Sequence, residues 1–357
     1  MRKSSWIMLA VLVGMAFGAT GAKAGTITYT CNPNVASATC NYLNTSVAGQ
    51  YNSTFTNASA DIYITYGTTS LGATETYLNA VSYSSYVAAL AANSNQDPLQ
   101  AAALSALNTY DAGPYGSGNV GITDALATAL GATSGLTGIN SSGGPCSFPS
   151  AGCYNAIVTV TNSASTPLYY DNLGGTEGSN AYDFYSVVEH ETNEVLGTSS
   201  CINTQPTALS NGCDFFGKGT PSAADLFRYS GAGSLILDSS LSTTPGAYFS
   251  YNGGVTNGAN GNVYNTLANF DDYADFVGSC PGKLSVQDAE GCPGNDAGLN
   301  IINDGGAEIN ILNAVGYDLA APSAPMPEPS SVALMLLGVG LVSLLRKRNP
   351  RGHQLAT

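Results

Sequence analysis

The chain of 357 residues is poor in positive charge. It has 10 Lys and Arg against 24 Asp and Glu, and its formal net charge is −14 at pH 7. Most of the basic residues lie near the termini, so the region 25–321 keeps only Lys218, Arg228 and Lys283 beside every acidic residue except Glu328. Such a surface repels phosphate backbones and anionic headgroups, so nucleic-acid and anionic-lipid partners are excluded.

Histidine and methionine are scarce as well. The two histidines are His190 and His353, and the five methionines all lie in the first 15 residues or after residue 325. Any imidazole chemistry in the region 25–321 must therefore use His190. No serine stands in a G-x-S-x-G sequence, so a Ser-His-Asp hydrolase has no support. No repeat of fixed period occurs, which argues against a solenoid or a propeller.

The N-terminus has the pattern of a secretory signal peptide. Arg2 and Lys3 precede an apolar run over residues 6–17, and Ala22-Lys23-Ala24 has the small-x-small pattern of a cleavage site. The sequence therefore predicts a signal peptide over residues 1–24, removed by signal peptidase to leave Gly25 first. The alternative is a short buried helix.

The C-terminus carries a second processing pattern. Pro327-Glu328-Pro329 is followed by an apolar run over residues 332–345 and by Arg346-Lys347-Arg348. The run is short for a membrane span of about 20 residues, and the basic cluster is a stop-transfer flank. This arrangement resembles the PEP-CTERM sorting signal of Gram-negative bacteria that make exopolysaccharide.

The resemblance assigns residues 322–350 to the sorting signal and residues 351–357 to a tail. It implies transient membrane insertion through this segment, removal by an exosortase, and a final location at the cell surface or outside the cell. A plain C-terminal anchor is the alternative.

The eight cysteines form four couples of close neighbours, and none stands in a C-x-x-C sequence. An even number of cysteines in an exported protein predicts disulfides rather than metal ligands. Sequence alone leaves 105 pairings open, and we expect the local ones, which leave no catalytic thiol. They are Cys31–Cys40, Cys146–Cys153, Cys201–Cys213 and Cys280–Cys292.

The hydrophobic pattern of the region 25–321 predicts an α+β domain. The stretch before Asn57 is rich in Thr, Asn and Ser and favours short strands and turns, whereas the chain beyond Cys201 is rich in loops. Two period-2 segments predict strands, and four apolar segments predict helices. The predicted strands are 61–66 and 156–161, and the predicted helices are 81–90, 98–107, 123–130 and 308–315.

One helical segment carries a chemical motif. It begins near Asn180 or Asp183 and ends at Gly197, with His190 and Glu194 one turn apart on the same face. Zincins place two zinc ligands in this way in H-E-x-x-H, with the intervening Glu as general base. Here Glu194 replaces the second histidine and Glu191 stands at the base position. The alternative is an ordinary helix histidine with flanking carboxylates.

The segment His190-Glu191-x-x-Glu194-Val-Leu-Gly197 resembles a family of secreted zincin-like metalloproteases with PEP-CTERM tails. Residues 225–229 (Asp-Leu-Phe-Arg-Tyr) and 314–318 (Ala-Val-Gly-Tyr-Asp) agree with the resemblance. It implies a zincin-like domain over residues 25–321, with a mixed sheet, a central active-site helix and disulfide-stapled loops. It also implies a zinc peptidase that acts on protein or peptide substrates, with His190 and Glu194 as ligands and Glu191 as base.

The chain departs from the metzincin pattern in two places. The position six residues after Glu194 is Ser200, a poor zinc ligand, and the region 25–321 has no methionine for a Met-turn. A strict metzincin is therefore excluded. The best candidate for a third ligand is Asp225, which could instead cap a helix or pair with Arg228. Tyr229 is a candidate hydrogen-bond donor to the oxyanion, or else a core residue.

The ligand set also affects the choice of metal. Two carboxylate ligands cancel the charge of Zn²⁺, which weakens water activation and shifts preference toward Mn²⁺ or Ca²⁺. We therefore expect either metal binding with slow hydrolysis or a further ligand that the sequence does not identify. Asp271, Asp272 and Asp275, with the loop around residues 252–261, are a candidate calcium site, and solvated acidic residues are the alternative.

Two functions follow from the sequence. The first is an exported zinc-dependent metalloendopeptidase. The second is a catalytically inactive zincin-like scaffold that acts as a matrix or cell-surface protein associated with exopolysaccharide. The polar composition and the single histidine favour the scaffold, and Glu191 favours the enzyme.

Overall fold

Helices and short strands are interleaved along the chain. The computed structural model describes residues 25–93, 95, 97–110, 118–170, 176–202, 220–237, 246–265, 272–278, 280–281 and 284–320. The α-helices are α1 (Ser37–Tyr42), α2 (Ala48–Thr54), α3 (Tyr83–Asn93), α4 (Pro98–Leu107), α5 (Asp124–Ala129), α6 (Phe184–Leu196) and α7 (Ala307–Val315). The strands are β1 (Ile27–Cys31), β2 (Ala60–Gly67), β3 (Gly72–Thr76), β4 (Leu78–Ser82), β5 (Asn119–Thr123), β6 (Leu136–Asn140), β7 (Pro145–Phe148), β8 (Cys153–Tyr154), β9 (Ala156–Thr161), β10 (Leu168–Tyr169), β11 (Tyr182–Asp183), β12 (Arg228–Gly231), β13 (Ser234–Leu235) and β14 (Tyr248–Phe249).

A mixed four-stranded sheet positions the rest of the fold. Its strand order is β1-β2-β9-β3, and β1, β2 and β9 run parallel to one another. β3 runs antiparallel to β9 and lies at the edge, with Gly72 opposite Val160 and Thr76 opposite Ala156. Helix α6 packs against β3 and β9. The motif helix therefore lies directly beneath the edge strand.

Smaller sheets surround this unit. β4 pairs with β5, β6 lies between β7 and β8, β10 pairs with β11, and β12 lies between β13 and β14. The described fold is thus mixed α/β with a mixed central sheet, as expected at that level.

Most of the predicted elements are confirmed. β2 and β9 cover the predicted strands at 61–66 and 156–161, and α4 and α7 cover the predicted helices at 98–107 and 308–315. Helix α5 begins after its N-cap Thr123, whose side chain accepts a hydrogen bond from the Leu126 amide. Helix α3 begins at Tyr83, because the two preceding residues belong to β4.

The prediction of short strands and turns before Asn57 is wrong for residues 37–54. This stretch is helical throughout: α1 leads through a π-helical turn, Leu43–Val47, into α2. Leu43, Val47, Tyr51 and Phe55 are fully buried and recur every fourth residue. Burial of this apolar stripe outweighs the low helix propensity of the Thr, Asn and Ser residues between its members.

Three of the four predicted disulfides are present: Cys31–Cys40, Cys146–Cys153 and Cys280–Cys292, with Cα–Cα distances of 6.0, 5.8 and 5.5 Å. Cys201 is also disulfide-bonded, and its predicted partner Cys213 lies outside the described residues. Within the described chain no cysteine is free.

The two processing signals lie outside the described residues, since neither 1–24 nor 322–350 is covered. The compact unit of the fold ends at Leu319. In the part of the chain that the structure covers, no helix is both long and apolar enough to cross a membrane. The predicted transient anchor over residues 332–345 therefore stays a prediction.

Candidate metal centre

The sequence defines both ends of helix α6, which carries the motif. Asp183 is the N-cap, and its side chain accepts hydrogen bonds from the Tyr185 and Ser186 amides. Gly197 ends the helix in a left-handed conformation with φ 116°, which glycine adopts without strain. The helix therefore runs far enough to place His190 and Glu194 on one face, one turn apart.

Three side chains converge at this face. The Nε2 atom of His190 lies 3.7 Å from Oε1 of Glu194 and 3.5 Å from Oδ1 of Asp275. The candidate ligand atoms of the three residues all lie within 4.8 Å of one another. We call His190, Glu194 and Asp275 the metal cluster. Both carboxylates are buried and the imidazole is partly buried, so the cluster is preorganised rather than exposed to bulk water.

The ring of His190 is held in one orientation. Its Nδ1 atom lies 2.9 Å from the carbonyl oxygen of Val286, which accepts a hydrogen bond from it. Nε2 is the ring nitrogen that faces the two carboxylates. A second hydrogen bond of this kind is the usual way in which a protein fixes the tautomer of a metal-binding histidine.

Two buried carboxylates accept hydrogen bonds from the backbone amides on either side of the Val286 carbonyl, which orients the imidazole. The Val286 amide donates to Oδ2 of Asp304 at 3.0 Å, and the Gln287 amide donates to Oε1 of Glu308 at 3.0 Å. The irregular backbone at 286–287 is therefore fixed by helix α7 and the loop before it.

The side chain of Gln287 contacts two members of the metal cluster. Its Nε2 donates to Oδ1 of Asp275 at 2.9 Å and lies 3.5 Å from Nε2 of His190. Gln287 is fully buried. We therefore regard it as a positioning residue for Asp275.

Glu191 lies beside the metal cluster and is tied to the edge strand. The hydroxyl of Thr74 lies 2.6 Å from its Oε2 and donates to it. A side chain at Gly72 would overlap the Glu191 carboxylate, so the strand approaches the helix closely only because residue 72 is glycine. These contacts direct the carboxyl group toward the cleft, whose lining includes His190, Glu191 and Glu194.

Burial and crowding of charge shift the pKa values in the site. Burial, reinforced by the charge of Glu194, raises the pKa of Glu191 well above its usual value. Burial also raises the pKa of Asp275 to about 6. For His190, burial lowers the pKa, but the carboxylates of Asp275, Glu194 and Glu191 outweigh it and raise the pKa well above 6.5. The site thus concentrates negative charge that a cation would neutralise.

A cleft of about 900 Å³ opens above the metal cluster. Its lining includes the edge strand β3 with the turn before it, residues 68–71, and residues 284–286 and 288–292. Helix α6 contributes Ser186, Val187, His190, Glu191 and Glu194. The edge strand and the metal cluster therefore share one cleft.

The donor set fits a divalent metal. Ligand atoms that lie about 2.1 Å from a tetrahedral Zn²⁺ are separated by about 3.4 Å, close to the 3.5 and 3.7 Å found around His190 Nε2. One imidazole and two carboxylates suit Zn²⁺, and the oxygen-rich set also suits Mn²⁺. His190, Glu194 and Asp275 are the residues that would hold the ion.

Asp225, the predicted third ligand, does not join the metal cluster. Its Oδ1 accepts from the Ser200 hydroxyl at 2.6 Å, and its Oδ2 accepts from the Cys201 and Ser222 amides at 2.8 and 2.9 Å. Both oxygens are thus occupied in joining two segments of chain. Asp225 does not cap the short 3-10 helix that contains it, since that helix has Ala223 as N-cap and no side-chain cap hydrogen bond. The geometry favours Asp275 for the third position.

Tyr229, the predicted oxyanion donor, is buried in β12 and is not among the described residues that line the cleft. Its hydroxyl bonds to Tyr110, and burial raises its pKa. The structure therefore places it with the core, which was the alternative to the catalytic role.

The acidic run 271–275 is divided in its contacts. Asp271 lies outside the described residues. Asp272 accepts from the Ser200 and Ala274 amides at 3.1 and 2.7 Å, whereas Asp275 faces His190. The sequence showed an acidic run here, but nothing local indicated that its last member would meet the motif helix. Calcium at this run stays a prediction.

A comparison with known protein families bears on the C-terminal segment. Residues 327–349 match the model of the PEP-CTERM protein-sorting motif, and this range contains the predicted Pro327-Glu328-Pro329 and Arg346-Lys347-Arg348. No curated protein and no solved structure matches the chain. The motif marks the chain as an exported protein that is targeted to the cell envelope and processed by an exosortase.

Proposed function

We propose that the protein is an exported metallopeptidase that hydrolyses peptide bonds with a zinc ion held by His190, Glu194 and Asp275. The observation that carries the proposal is the convergence of these side chains beside Glu191 in the lining of one cleft. The helix motif and the mixed sheet with an antiparallel edge strand agree with the zincin resemblance.

Zinc in such a site polarises a carbonyl group and lowers the pKa of a water molecule. Because Glu194 and Asp275 contribute two negative charges, the centre is close to neutral once loaded. We therefore expect slower hydrolysis than from a site with two histidines and one carboxylate.

Glu191 is suited to the proton transfers of the reaction. Its carboxylate adjoins the metal cluster, and its Oε2 is held by the Thr74 hydroxyl. It accepts the proton of the attacking water and delivers it to the leaving amine, so its raised pKa, caused by burial and by Glu194, matches a base that must later act as an acid.

Strand β3 is suited to hold an extended peptide over the metal cluster. The Thr161 amide donates to the Leu71 carbonyl at 2.9 Å. Given the antiparallel register, the backbone groups of Gly72, Thr74 and Thr76 point away from β9. The Gly72 carbonyl accepts a hydrogen bond from the Thr69 hydroxyl at 2.9 Å, which leaves Thr74 and Thr76 as the pairing positions. A substrate chain can add there as a further strand through main-chain hydrogen bonds, which are independent of the peptide sequence. Unfolded proteins are therefore the first substrates to test.

The test is metal content and proteolysis of the purified full-length chain. We expect about one zinc per chain by mass spectrometry, lost in His190→Ala and Asp275→Asn. Glu191→Gln should retain zinc but lose cleavage of an unfolded substrate. Glu75→Gln is the matched control, since this exposed residue is on the same strand as Thr74 but on the opposite face.

The outcomes separate the two functions. Absence of metal from the wild-type chain after zinc is added back would overturn the metal centre and support the non-catalytic surface scaffold. Zinc binding without cleavage by the wild-type chain, in an assay that detects a known metallopeptidase, would contradict the peptidase alone.

A further inference from the structure

A second group of carboxylates lies at the N-terminal end of helix α6, and two of its oxygens have no partner. They are Oε1 of Glu177 and Oδ1 of Asp296, both buried and without a hydrogen bond to any described residue. Glu177 is 7 % exposed and Asp296 is 4 % exposed. Burial of a carboxylate oxygen without a donor or a cation is costly, so such an atom requires a proton or a partner that the described residues do not supply.

The other oxygens of these side chains anchor one loop. Oε2 of Glu177 accepts from the Asp296 and Ala297 amides at 3.1 and 3.0 Å. Oδ2 of Asp296 accepts from the Cys292 amide at 3.3 Å. Asp183, the N-cap of α6, accepts from the Gly298 amide at 2.8 Å. The three carboxylates thus meet at the turn 292–298, and the two free oxygens belong to side chains that are anchored in place.

The turn 292–298 packs closely against residues 178–181, which precede helix α6. The Gly294 amide donates to the Ala181 carbonyl at 2.8 Å, and a side chain at Gly294 would approach Ser179 Cα within 2.7 Å. The disulfide to Cys280 fixes the start of the turn at Cys292. The turn that carries Asp296 is therefore held close to residues 178–181.

No positive side chain among the described residues balances this charge. Arg228 is the one Lys or Arg in the described ranges, and its guanidinium stacks on Tyr264 and donates to the Tyr273 carbonyl. The imidazole of His190 faces Asp275 and Glu194. Burial and the charge of Glu177 raise the pKa of Asp296 to about 7, which reflects the same lack of a counter-charge.

We propose that Glu177 and Asp296 bind a calcium ion through these two oxygens, with Asp183 adding negative charge beside them. Only oxygen ligands are present, which selects a hard cation, and an irregular turn provides the adaptable geometry that Ca²⁺ accepts and Mg²⁺ does not. Water and backbone carbonyls complete the six to eight oxygens that Ca²⁺ takes. The site shares no residue with the metal cluster and stands whether or not His190 binds zinc.

Calcium at this place stabilises part of the cleft lining. Cys292, Asp296 and Leu299 line the cleft, and the ion ties their loop to the start of the helix that carries His190. The protein then reaches full stability only where calcium is plentiful, as it is outside the cell. Extracellular calcium modules have Kd values of about 0.1 to 1 mM.

The test is a calorimetric titration of the zinc-loaded full-length chain with CaCl₂ alone, paired with thermal unfolding at each calcium concentration. We expect one calcium per chain with a Kd of about 0.1 to 1 mM and a midpoint of unfolding that rises with calcium. Glu177→Gln and Asp296→Asn should each weaken binding by at least about tenfold. Asp97→Asn is the matched control, because both oxygens of this carboxylate accept hydrogen bonds within the protein, from the Leu99 and Gln100 amides and from the Asn313 side chain; its calcium affinity should equal that of the wild type.

A wild-type chain that binds no calcium overturns the proposal, whether or not the variants fold. Unchanged affinity in both Glu177→Gln and Asp296→Asn also overturns it. Loss of binding in Asp275→Asn with retention in Asp296→Asn would move the ion to the acidic run 271–275 and would equally refute the site proposed here.

Discussion

The choice between Asp275 and Asp225 as the third ligand gives the sharpest prediction. Asp275→Asn removes a carboxylate whose Oδ1 lies 3.5 Å from His190 Nε2, whereas Asp225→Asn alters a carboxylate that serves only the protein's own donors. Loss of an outer-shell partner of a metal costs 10- to 100-fold in affinity. Loss of a direct ligand should therefore lower the zinc affinity by more than about 100-fold, which corresponds to about 2.8 kcal/mol of binding free energy.

The two variants should separate metal affinity from stability. Asp225→Asn places a side-chain NH₂ group beside the hydroxyl and amide donors that bond to the carboxylate in the wild type. We therefore expect the free energy of unfolding to fall by about 1–3 kcal/mol, with unchanged zinc affinity. The assays are competition for zinc with a chromophoric chelator and urea unfolding of the zinc-free chain. Zinc affinity that falls in Asp225→Asn but survives in Asp275→Asn would refute the assignment. Ser200→Ala, which removes one donor to Asp225, provides a milder second variant.

Three further predictions follow from the structure. Gly72→Ala should abolish peptide cleavage but keep zinc, because the new methyl group displaces the Glu191 carboxylate; full activity would contradict the close approach. Glu194→His should tighten zinc binding and speed hydrolysis, because a second imidazole restores the positive charge of the loaded centre; unchanged zinc affinity would contradict this. Burial raises the pKa of Asp124 in the folded protein to about 7, above its value in the unfolded chain. Between about pH 4 and 7 the folded state therefore binds more protons than the unfolded state, so the free energy of unfolding falls as the pH rises through that window. Asp124→Asn, which keeps the bond from Asn79, should flatten this dependence in urea unfolding at several pH values; an unchanged slope would contradict the prediction.

Local patterns in the sequence predicted the parts of the protein that depend on local physics. The cap at Asp183 and the left-handed Gly197 define α6, and the spacing of His190 and Glu194 then follows from the helical repeat. The three observed disulfides join cysteines no more than 12 residues apart. The composition of residues 37–54 gave a wrong prediction of strands and turns, because the burial of an apolar stripe makes this stretch helical.

The parts that could not be predicted depend on contacts between distant residues. The hydroxyl of Thr74 and the carboxylate of Glu191 meet across 117 positions, and His190 and the Val286 carbonyl meet across 96. No local spacing encodes such pairs. The resemblance in the segment headed by Asp225 pointed to that residue as third ligand, but no local pattern could show that both oxygens of Asp225 are already hydrogen-bonded.

The sequence by itself determined the export and sorting of this protein, the motif helix and the local disulfides, because each depends on residues close together along the chain. Only the tertiary structure decided which carboxylate faces His190, what orients its imidazole, and where Glu177 and Asp296 leave oxygens without partners. The physical reason is that a buried charge finds its partners in space, after the sheet and the irregular loops beyond α6 have folded around it.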